Sequence, residues 1–231
     1  MKGRFVALRR PYDADFELIE QWLAPESMTA VLTTDAGGLV TARQVRELNE
    51  SGAMRHYMVW LLDEDRAVGC VNYKRSGPAG CFEIGGAIGE ADIWQRGYGI
   101  EAFTLLVDHL FHAGNAHRVQ FTTAIYNRHI INAVTKAAFV CEGILREYYF
   151  LDGRWHDAVL WSVLRDEFYH GAEIAARISD RYRLPDIIPE RDKAAARETL
   201  ARFLAGDRDT TSIGQFLNDR PAAVAEREQV Q

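Results

Sequence analysis

Two glycines, Gly97 and Gly99, stand where residues of strand character give way to a run with helical periodicity. Residues without side chains at such a point let successive backbone N–H groups converge on an anion, and the helix dipole favours negative charge there. A diphosphate meets that requirement. A plain tight turn accounts for the same two glycines equally well, so the pair alone leaves both interpretations open.

The elements around this turn include many short strands. Apolar runs with turn residues between them predict strands at residues 5–8, 56–62, 67–73, 81–88, 119–125, 139–150 and 155–164. The charged turn at residues 63–66 and the pair Asp152-Gly153 predict two antiparallel hairpins, and residues 35–38 have loop chemistry. The order predicts a mixed α/β (α+β) fold, with a largely antiparallel twisted sheet flanked by helices.

Helical periodicity fills most of the segments between these strands. Asp13 is expected to cap a first helix and Thr41 a second, and residues 98–112 and 128–137 are expected to form two more. The residues expected to face inward are Phe16, Ile19, Trp22 and Leu23 in the first helix, Val45 and Leu48 in the second, and Ile100, Phe103, Leu106, Val107 and Leu110 in the third.

The chain changes character after about residue 165, where strand formers become rare. Two apolar stripes predict helices: Ala196, Leu200, Phe203 and Leu204, ended by Gly206, and then Ile213, Phe216 and Leu217. These stripes could pack on the domain itself or dock a partner. We therefore expect a domain at residues 1–168 and a C-terminal helical extension at 169–231, with disorder from residue 221.

Composition argues against several function classes. The formal net charge of −6 comes from scattered charges, which does not fit a nucleic-acid ligand. The first residues are too charged for a signal peptide or a membrane span, so a cytoplasmic protein without membrane contact is expected. The three cysteines, Cys70, Cys81 and Cys141, lack metal-ligand spacing and are all expected to be buried. His109 and His112 lack a third ligand, so no metal site is expected.

Asn127 and Phe139 extend the pattern that begins at the glycine turn. Together with segments 94–99, 142–146 and 157–162, and with residues 8–11 and Trp22, they make the chain resemble the GNAT acetyltransferase superfamily. Within that superfamily the chain is similar to the branch of ribosomal-protein N-terminal alanine acetyltransferases. The resemblance runs from about residue 5 to residue 168, and it implies an acyl-CoA-dependent N-acyltransferase, with acetyl-CoA as the default co-substrate.

The resemblance also implies where acetyl-CoA would lie. Its pantetheine arm would pair like an added strand with Gly86, Ala87 and Ile88, and the N–H near Ile88 would stabilise the thioester oxyanion. Asn127 would hold the arm or the acceptor, or would simply cap a helix. The pyrophosphate would rest on the turn formed by Trp94, Gln95, Arg96, Gly97, Tyr98, Gly99 and Ile100.

The implied reaction is direct attack of a neutral primary amine on the thioester within a ternary complex. An α-amino group, with a pKa near about 8, needs little help, whereas a lysine-like amine with a pKa near about 10.4 must first lose a proton. Glu83 is the candidate base, and an ordinary paired carboxylate within the sheet is the alternative. The acceptor could be a small-molecule amine or a protein N-terminus.

The chain departs from the family pattern at several positions. Ile130 and Val134 stand where family members carry a Ser or Tyr that acts as general acid, so Tyr148 or Tyr149 is the nearest candidate, or CoA thiolate leaves unaided. Ala138 replaces a Gly, and the spacing from strand to turn is one residue longer than usual. A CoA-binding adaptor without transfer activity, a docking arm for a carrier protein and a homodimer remain alternatives or additions.

Overall fold

The computed structural model describes residues 1–33, 40–135, 139–170 and 186–206. The predicted loop at 35–38, the stripe of Ile213, Phe216 and Leu217, and the tail from 221 lie outside these residues. The chain forms two compact units, Met1–Leu184 and Pro185–Gln231. The boundary between residues 168 and 169 remains a prediction.

Seven strands form one sheet in the order β1-β2-β3-β4-β5-β7-β6. Every neighbouring pair is antiparallel except β4 and β5, which run parallel. The predicted mixed fold with a largely antiparallel sheet is therefore confirmed. The strands are β1 (Val6–Arg9), β2 (Arg55–Leu61), β3 (Arg66–Arg75), β4 (Cys81–Ile88), β5 (Arg118–Ala124), β6 (Val140–Leu151) and β7 (Arg154–Leu164).

Both predicted hairpins are present, and their turns explain why. Asp65 has a φ of 50° between β2 and β3, and Asp152 and Gly153 have φ values of 51° and 72° between β6 and β7. Left-handed backbone at these positions suits Asp and Gly, and in a two-residue turn it matches the twist of the flanking strands. The sequence signal for each hairpin therefore lay in its turn.

Helix α4 (Tyr98–His112) has the predicted bounds and packs on the sheet. Leu106, Val107 and Leu110 are buried as expected. Two expectations for its inner face need correction: Ile100 is 46% exposed, and Phe103 is only partly buried. The inner face is instead rotated toward Ala102, Leu105 and Phe111, which are all fully buried.

Before β2 the described residues form α1 (Asp13–Trp22), α2 (Met28–Thr33) and α3 (Ala42–Ser51). Thr41 caps α3 as predicted, since its hydroxyl accepts from Gln44 N at 3.3 Å. Asp13 does not cap α1: the N-cap residue is Tyr12, whose N–H donates to the Asp15 carboxylate at 2.7 Å. Leu48 is 41% exposed rather than inward. Helix α2 has no counterpart in the prediction.

The other helices of the described ranges are α5 (Arg128–Val134), α6 (Arg165–His170) and α7 (Glu190–Gly206). The predicted helix over 128–137 is thus present up to Val134, and residues 136–138 lie outside the described ranges. In α7, Leu200 and Phe203 are exposed. Within the described ranges no helix is both long and apolar enough to cross a membrane.

The two faces of the sheet differ in what covers them. On the α4 face, Phe82, Ile84 and Ile88 of β4 join the main apolar core with α4. On the opposite side, the α1 face, Met58 and Cys70 pack beneath α1 and α3. Because strand side chains alternate, Glu83, Gly85 and Ala87 of β4 also lie on the α1 face. All three are only half-buried, so this face is open at the centre of the sheet.

Candidate active site

The two parallel strands β4 and β5 separate after a short paired stretch. Only Cys81, Phe82 and Glu83 of β4 pair with β5, through Arg118, Val119 and Gln120. Beyond that point β4 continues to pair with β3 and β5 with β7. A V-shaped opening, called the splay below, therefore lies between residues 84–88 of β4 and 121–124 of β5.

The β4 wall of the splay turns backbone groups toward the opening. Gly89 N donates to Val68 O at 2.8 Å, which makes Gly69 and Ile88 a pair that exchanges no hydrogen bonds. The N–H and C=O of Ile88 consequently point into the splay, and the same alternation turns those of Gly86 toward it. The backbone of Ala87 instead pairs with Cys70 of β3.

The β5 wall mirrors this arrangement. Ile125 N donates to Asp157 O at 3.0 Å beside the pair Ala124 and Ala158, so the backbone of Ala124 faces away from β7. Thr122, two residues earlier, has the same orientation. Backbone groups of both walls therefore face the opening, although the Ala124 carbonyl already accepts from Asn127 N at 3.0 Å. An extended ligand that carries amide groups can pair with the groups that remain.

Gly86 is required by close approach to β3. Its φ is 139°, and a Cβ there would overlap the Cys70 carbonyl and lie 2.6 Å from Val71 Cα. A side chain at this position would push β4 away from β3 and deform the wall. The glycine thus fixes the line of the β4 wall beside the splay.

The glycine turn leads directly from the splay into α4. A 3-10 helix, Ala91–Arg96, precedes Gly97, which has a φ of 84° and serves as the N-cap of α4. A Cβ at Gly97 would meet nothing within 4 Å, and one at Gly99 would meet only Ile88 Cγ1 at 3.5 Å. The turn therefore presents open backbone at a helix N-terminus. Gln95 and Arg96 end the 3-10 helix, and Tyr98 is buried.

Trp94 joins the turn to the β4 wall and to α5. Its indole N–H donates to the Ile88 carbonyl at 2.8 Å. Its ring meets the edge of His129 on α5, with centroids 5.4 Å apart. Trp94 thus fixes the end of β4 and contacts the helix that follows β5.

Asn127 caps α5 and anchors α2. Its Oδ1 accepts from Ile130 N at 3.2 Å, and its Nδ2 donates to Leu32 O at 3.0 Å. Thr29 on the same helix α2 donates to Gly89 O at 3.2 Å. Helix α2 therefore links the ends of both walls. The capping interpretation of Asn127 describes its contacts, and a role toward a ligand remains a prediction.

Glu83 lies at the closed end of the splay, in the last pair between β4 and β5. Lys74 is its neighbour on β3, and the ammonium and carboxylate are 2.9 Å apart. Both side chains remain partly exposed, at 42% for Lys74 and 35% for Glu83. The carboxylate is thus paired and also accessible to solvent on the α1 face.

The two candidate acids on β6 occupy different surroundings. Tyr148 is 50% exposed and contacts the Tyr149 ring edge-on. Tyr149 is half-buried, and its hydroxyl lies 2.9 Å from Thr122 Oγ1 on the β5 wall. Only the Tyr149 hydroxyl bonds to a residue of the splay. This contact depends on a bulge between Leu145 and Tyr149 that the sequence did not reveal.

A charged cluster that sequence reasoning missed lies beside the closed end. The Arg118 guanidinium forms an ion pair with Glu142, and Ser162 Oγ donates to the same carboxylate at 2.7 Å. These contacts, with Arg118 the larger cause, lower the pKa of Glu142 to about 2. The partners come from three strands, so only the sheet register brings them together.

The cysteines differ from the prediction in part. Cys70 is buried, and burial raises the pKa of its thiol to about 12, which makes it unreactive. Cys81 is only half-buried, and Cys141 is exposed because it lies on the edge strand β6. Within the described ranges no group of three metal-ligating side chains occurs.

Comparisons with known proteins all point to acetyltransferases. Residues 6–140 match the acetyltransferase (GNAT) domain. The uncharacterized N-acetyltransferase p20 of Bacillus licheniformis is 26% identical over 161 residues, covering 68% of this chain and 89% of that protein. The ribosomal protein uS5 alanine N-acetyltransferase of Escherichia coli is 24% identical over 131 residues, covering 55% of this chain and 66% of that protein.

Solved structures share the fold at lower identity. The spermidine N-acetyltransferase of Vibrio cholerae, solved in complex with CoA and spermine, has a TM-score of 0.61 and 18% identity, covering 70% of this chain and 96% of that one. The ribosomal-protein-S5-alanine acetyltransferase of Vibrio fischeri has a TM-score of 0.58 and 19% identity, covering 72% and 96%. Since the family match spans more than half of the 231 residues, this protein belongs to the GNAT acetyltransferase family and is an acyl-CoA-dependent acetyltransferase.

Proposed function

We propose that this enzyme binds acetyl-CoA in the splay and transfers the acetyl group to a primary amine. The observation that carries the proposal is the continuity of the splay with the glycine turn. The backbone of Gly86 and the N–H of Ile88, which face away from β3, line one wall, and the wall leads to the open N-terminus of α4 at Gly97. An extended arm with amides and a diphosphate head needs these two features in this order.

Each part of acetyl-CoA has a counterpart in this proposal. The diphosphate would lie on the backbone from Gln95 to Ile100, where Gly97 and Gly99 leave room. Nearer the turn, the Ile88 N–H would bond to a pantetheine amide, and Ala87 would contact the arm through its side chain. The thioester of CoA is farther from the diphosphate than the amides are, so it would lie deeper in the splay. The Gly86 N–H, which also faces the splay, would therefore donate to the thioester oxygen in place of the Ile88 N–H expected from the sequence, a contact that strengthens when that oxygen becomes negative.

The chemistry is a direct acyl transfer. The amine nitrogen forms a bond to the thioester carbonyl carbon, the C–S bond breaks, and the electron pair remains on sulfur. The amine proton passes to Glu83 through water, and the CoA thiolate takes a proton from Tyr149, Tyr148 or solvent. The products are the N-acetyl amine and CoA, so no oxidant or reductant is needed.

The acceptor is a primary amine of a small molecule or of a protein N-terminus. Two relatives support these classes: one is named for the alanine of ribosomal protein uS5, and a structural neighbour is complexed with spermine. A homodimer remains a prediction, to be measured by sedimentation; a related Vibrio cholerae structure is described as dodecameric.

The test is release of CoA thiol from acetyl-CoA with a panel of amines: an alanyl hexapeptide, spermidine, an amino sugar and free amino acids. Glu83→Gln should lower kcat by about 100-fold on an amine of high pKa, since general base catalysis contributes at least that much. Glu64→Gln is the matched control, because Glu64 is also in an exposed ion pair but lies in the turn between β2 and β3.

Two outcomes would contradict the proposal. Acetyl-CoA binding without turnover on any amine, tried with several acyl chains, would favour a CoA-binding adaptor. Equal loss in the Glu83 and Glu64 variants would remove the case for Glu83 as the base.

A further inference from the structure

The side-chain amide of Asn72 lies at the β4 wall on the α1 face. Asn72 pairs with Gly85 across β3 and β4, and a Cβ at Gly85 would lie 3.0 Å from Asn72 Oδ1. The absence of a side chain at Gly85 therefore leaves the space that the amide occupies. Gly86, whose backbone faces the splay, is the next residue.

This amide forms no side-chain hydrogen bond with any residue that the structure describes. Asn72 is half-buried, so its polar atoms remain within reach of solvent. Amides near the middle of a sheet are usually hydrogen-bonded, because an unpaired polar group loses free energy when water is removed. A free amide at the edge of an opening is therefore available to a ligand.

The β5 wall presents hydroxyl groups on the α1 face, at the same level of the sheet as the Asn72 amide. Glu83 pairs with Gln120, so two residues further along Gly85 stands opposite Thr122 across the splay. Thr122 Oγ1 lies 2.9 Å from the Tyr149 hydroxyl. The row on the α1 face thus runs from the Asn72 amide, across the opening, to two hydroxyls.

Two carboxylates at the closed end of the splay already have cationic partners. Glu83 is paired with Lys74, and Glu142 is paired with Arg118. An amine that approaches Asn72 from the α1 face therefore meets carboxylates whose charge is already balanced at the closed end of the splay. Its N–H groups need an uncharged acceptor, and the Asn72 oxygen is one that lies beside the β4 wall.

We propose that Asn72 binds the acceptor amine and orients it toward the thioester. The amide oxygen accepts a hydrogen from the amine nitrogen, so that the nitrogen lone pair points across the splay. This proposal rests on the proposed function and adds to it the residue that holds the acceptor.

Steady-state kinetics with the best amine of the panel would test this role. Asn72→Ala should lower kcat/KM for the amine by about fivefold to tenfold, the range expected when one hydrogen bond is lost. The Kd for acetyl-CoA, measured by calorimetry, should stay within twofold, and Tm within a few degrees. Asn72→Asp keeps an acceptor oxygen and should restore part of the amine kcat/KM.

Gly85→Ala offers an independent perturbation, because its new Cβ would press on the amide at 3.0 Å. It should change amine kinetics in the same direction as Asn72→Ala, by a smaller factor. Asn132→Ala is the control, an asparagine exposed on α5, and should leave all three readouts unchanged.

The outcomes separate this proposal from the proposed function. Unchanged amine kinetics in Asn72→Ala would overturn the role of Asn72 alone. An equal loss of acetyl-CoA affinity, or a large fall in Tm, would assign Asn72 to the scaffold and also overturn it. Absence of turnover by the wild-type enzyme on every amine would overturn the proposed function and this role with it.

Discussion

The two faces of the sheet use the same strands for different purposes. On the α4 face, β4 contributes Phe82, Ile84 and Ile88 to a continuous apolar core. On the α1 face, the alternate residues of β4 are Glu83, Gly85 and Ala87, all half-exposed. One strand thus anchors the sheet through its even-numbered residues and presents polar or small groups through its odd-numbered residues.

The difference between the two faces indicates which residues should affect stability and which should affect reactivity. Substitutions on the α4 face should change the free energy of unfolding, whereas those on the α1 face near the splay should change kinetics. The His56 side chain is an exception, because it lies on the α1 face and is nevertheless only 6% exposed.

Leu106→Ala on α4 should have the largest effect on stability. The Leu106 side chain is fully buried, so its truncation leaves a cavity that costs about 3 kcal/mol in the free energy of unfolding. Urea denaturation would measure this loss, with half-buried Gln120→Ala of the α1 face as control and an expected cost below about 1 kcal/mol. Similar costs for the two variants would break the comparison between faces.

His56 should make stability depend on pH. Burial lowers the pKa of His56 to about 4, and its Nδ1 has no hydrogen-bond partner among the described residues. The unfolded chain binds a proton at His56 near pH 6.5, so the stability that depends on a neutral His56 is complete above about pH 6.5. It is lost as the pH falls from about 6.5 to about 4, by at most about 3 kcal/mol.

Denaturation of His56→Gln between pH 7.5 and pH 4 would check this prediction. The variant should have a flatter profile than the wild type over that range. Profiles of equal slope would mean that His56 gains a charge without cost, which would contradict its burial.

Gly99→Ala should separate binding from folding at the turn. The new Cβ would make ordinary contact with Ile88, and alanine favours a helix, so the free energy of unfolding should be unchanged or rise by up to about 1 kcal/mol. The Kd for acetyl-CoA should nevertheless rise, by about threefold or more, because the methyl group occupies space beside the anion. Calorimetric titration would measure it.

Gly97→Ala is the matched variant, since Gly97 has a φ of 84°. It should lose about 1 kcal/mol of stability through backbone strain. Unaltered acetyl-CoA affinity in both variants would place the diphosphate elsewhere.

Lys74→Met should have the smallest effect on stability. The pair with Glu83 is partly exposed, and such pairs contribute less than about 1 kcal/mol. The pH profile of amine acetylation should shift instead, because the neighbour of the candidate base has lost its charge. A stability loss well above 1 kcal/mol in thermal denaturation would make the pair a structural element.

Local signals gave the sequence prediction its successes. Asp152 and Gly153 specify a hairpin turn by themselves, and the Gly97 turn with the apolar run after it specifies the start of α4. Both signals lie within a few residues, where backbone preference decides the structure. The bounds of β4 and α4 were accordingly predicted in full.

Tertiary contacts decided the features that the prediction missed. Helix α2 has six residues and depends on partners far along the chain, such as Asn127. The exposure of Cys141 follows from the place of β6 at the edge of the sheet, which pattern cannot reveal. The position of the Asn72 amide beside the β4 wall depends on the register between Asn72 and Gly85, which local sequence does not specify.

The bulges of β6 have a consequence for the behaviour of the protein at high concentration. This long edge strand carries exposed Ile144 and Phe150, and a flat apolar edge invites pairing with another chain. Irregular register near Cys141 and between Leu145 and Tyr149, with Glu147 in left-handed backbone, interrupts that edge. The irregular register between Leu145 and Tyr149 brings the Tyr149 hydroxyl to the β5 wall. The same irregularity therefore also disfavours edge-to-edge aggregation of the sheet.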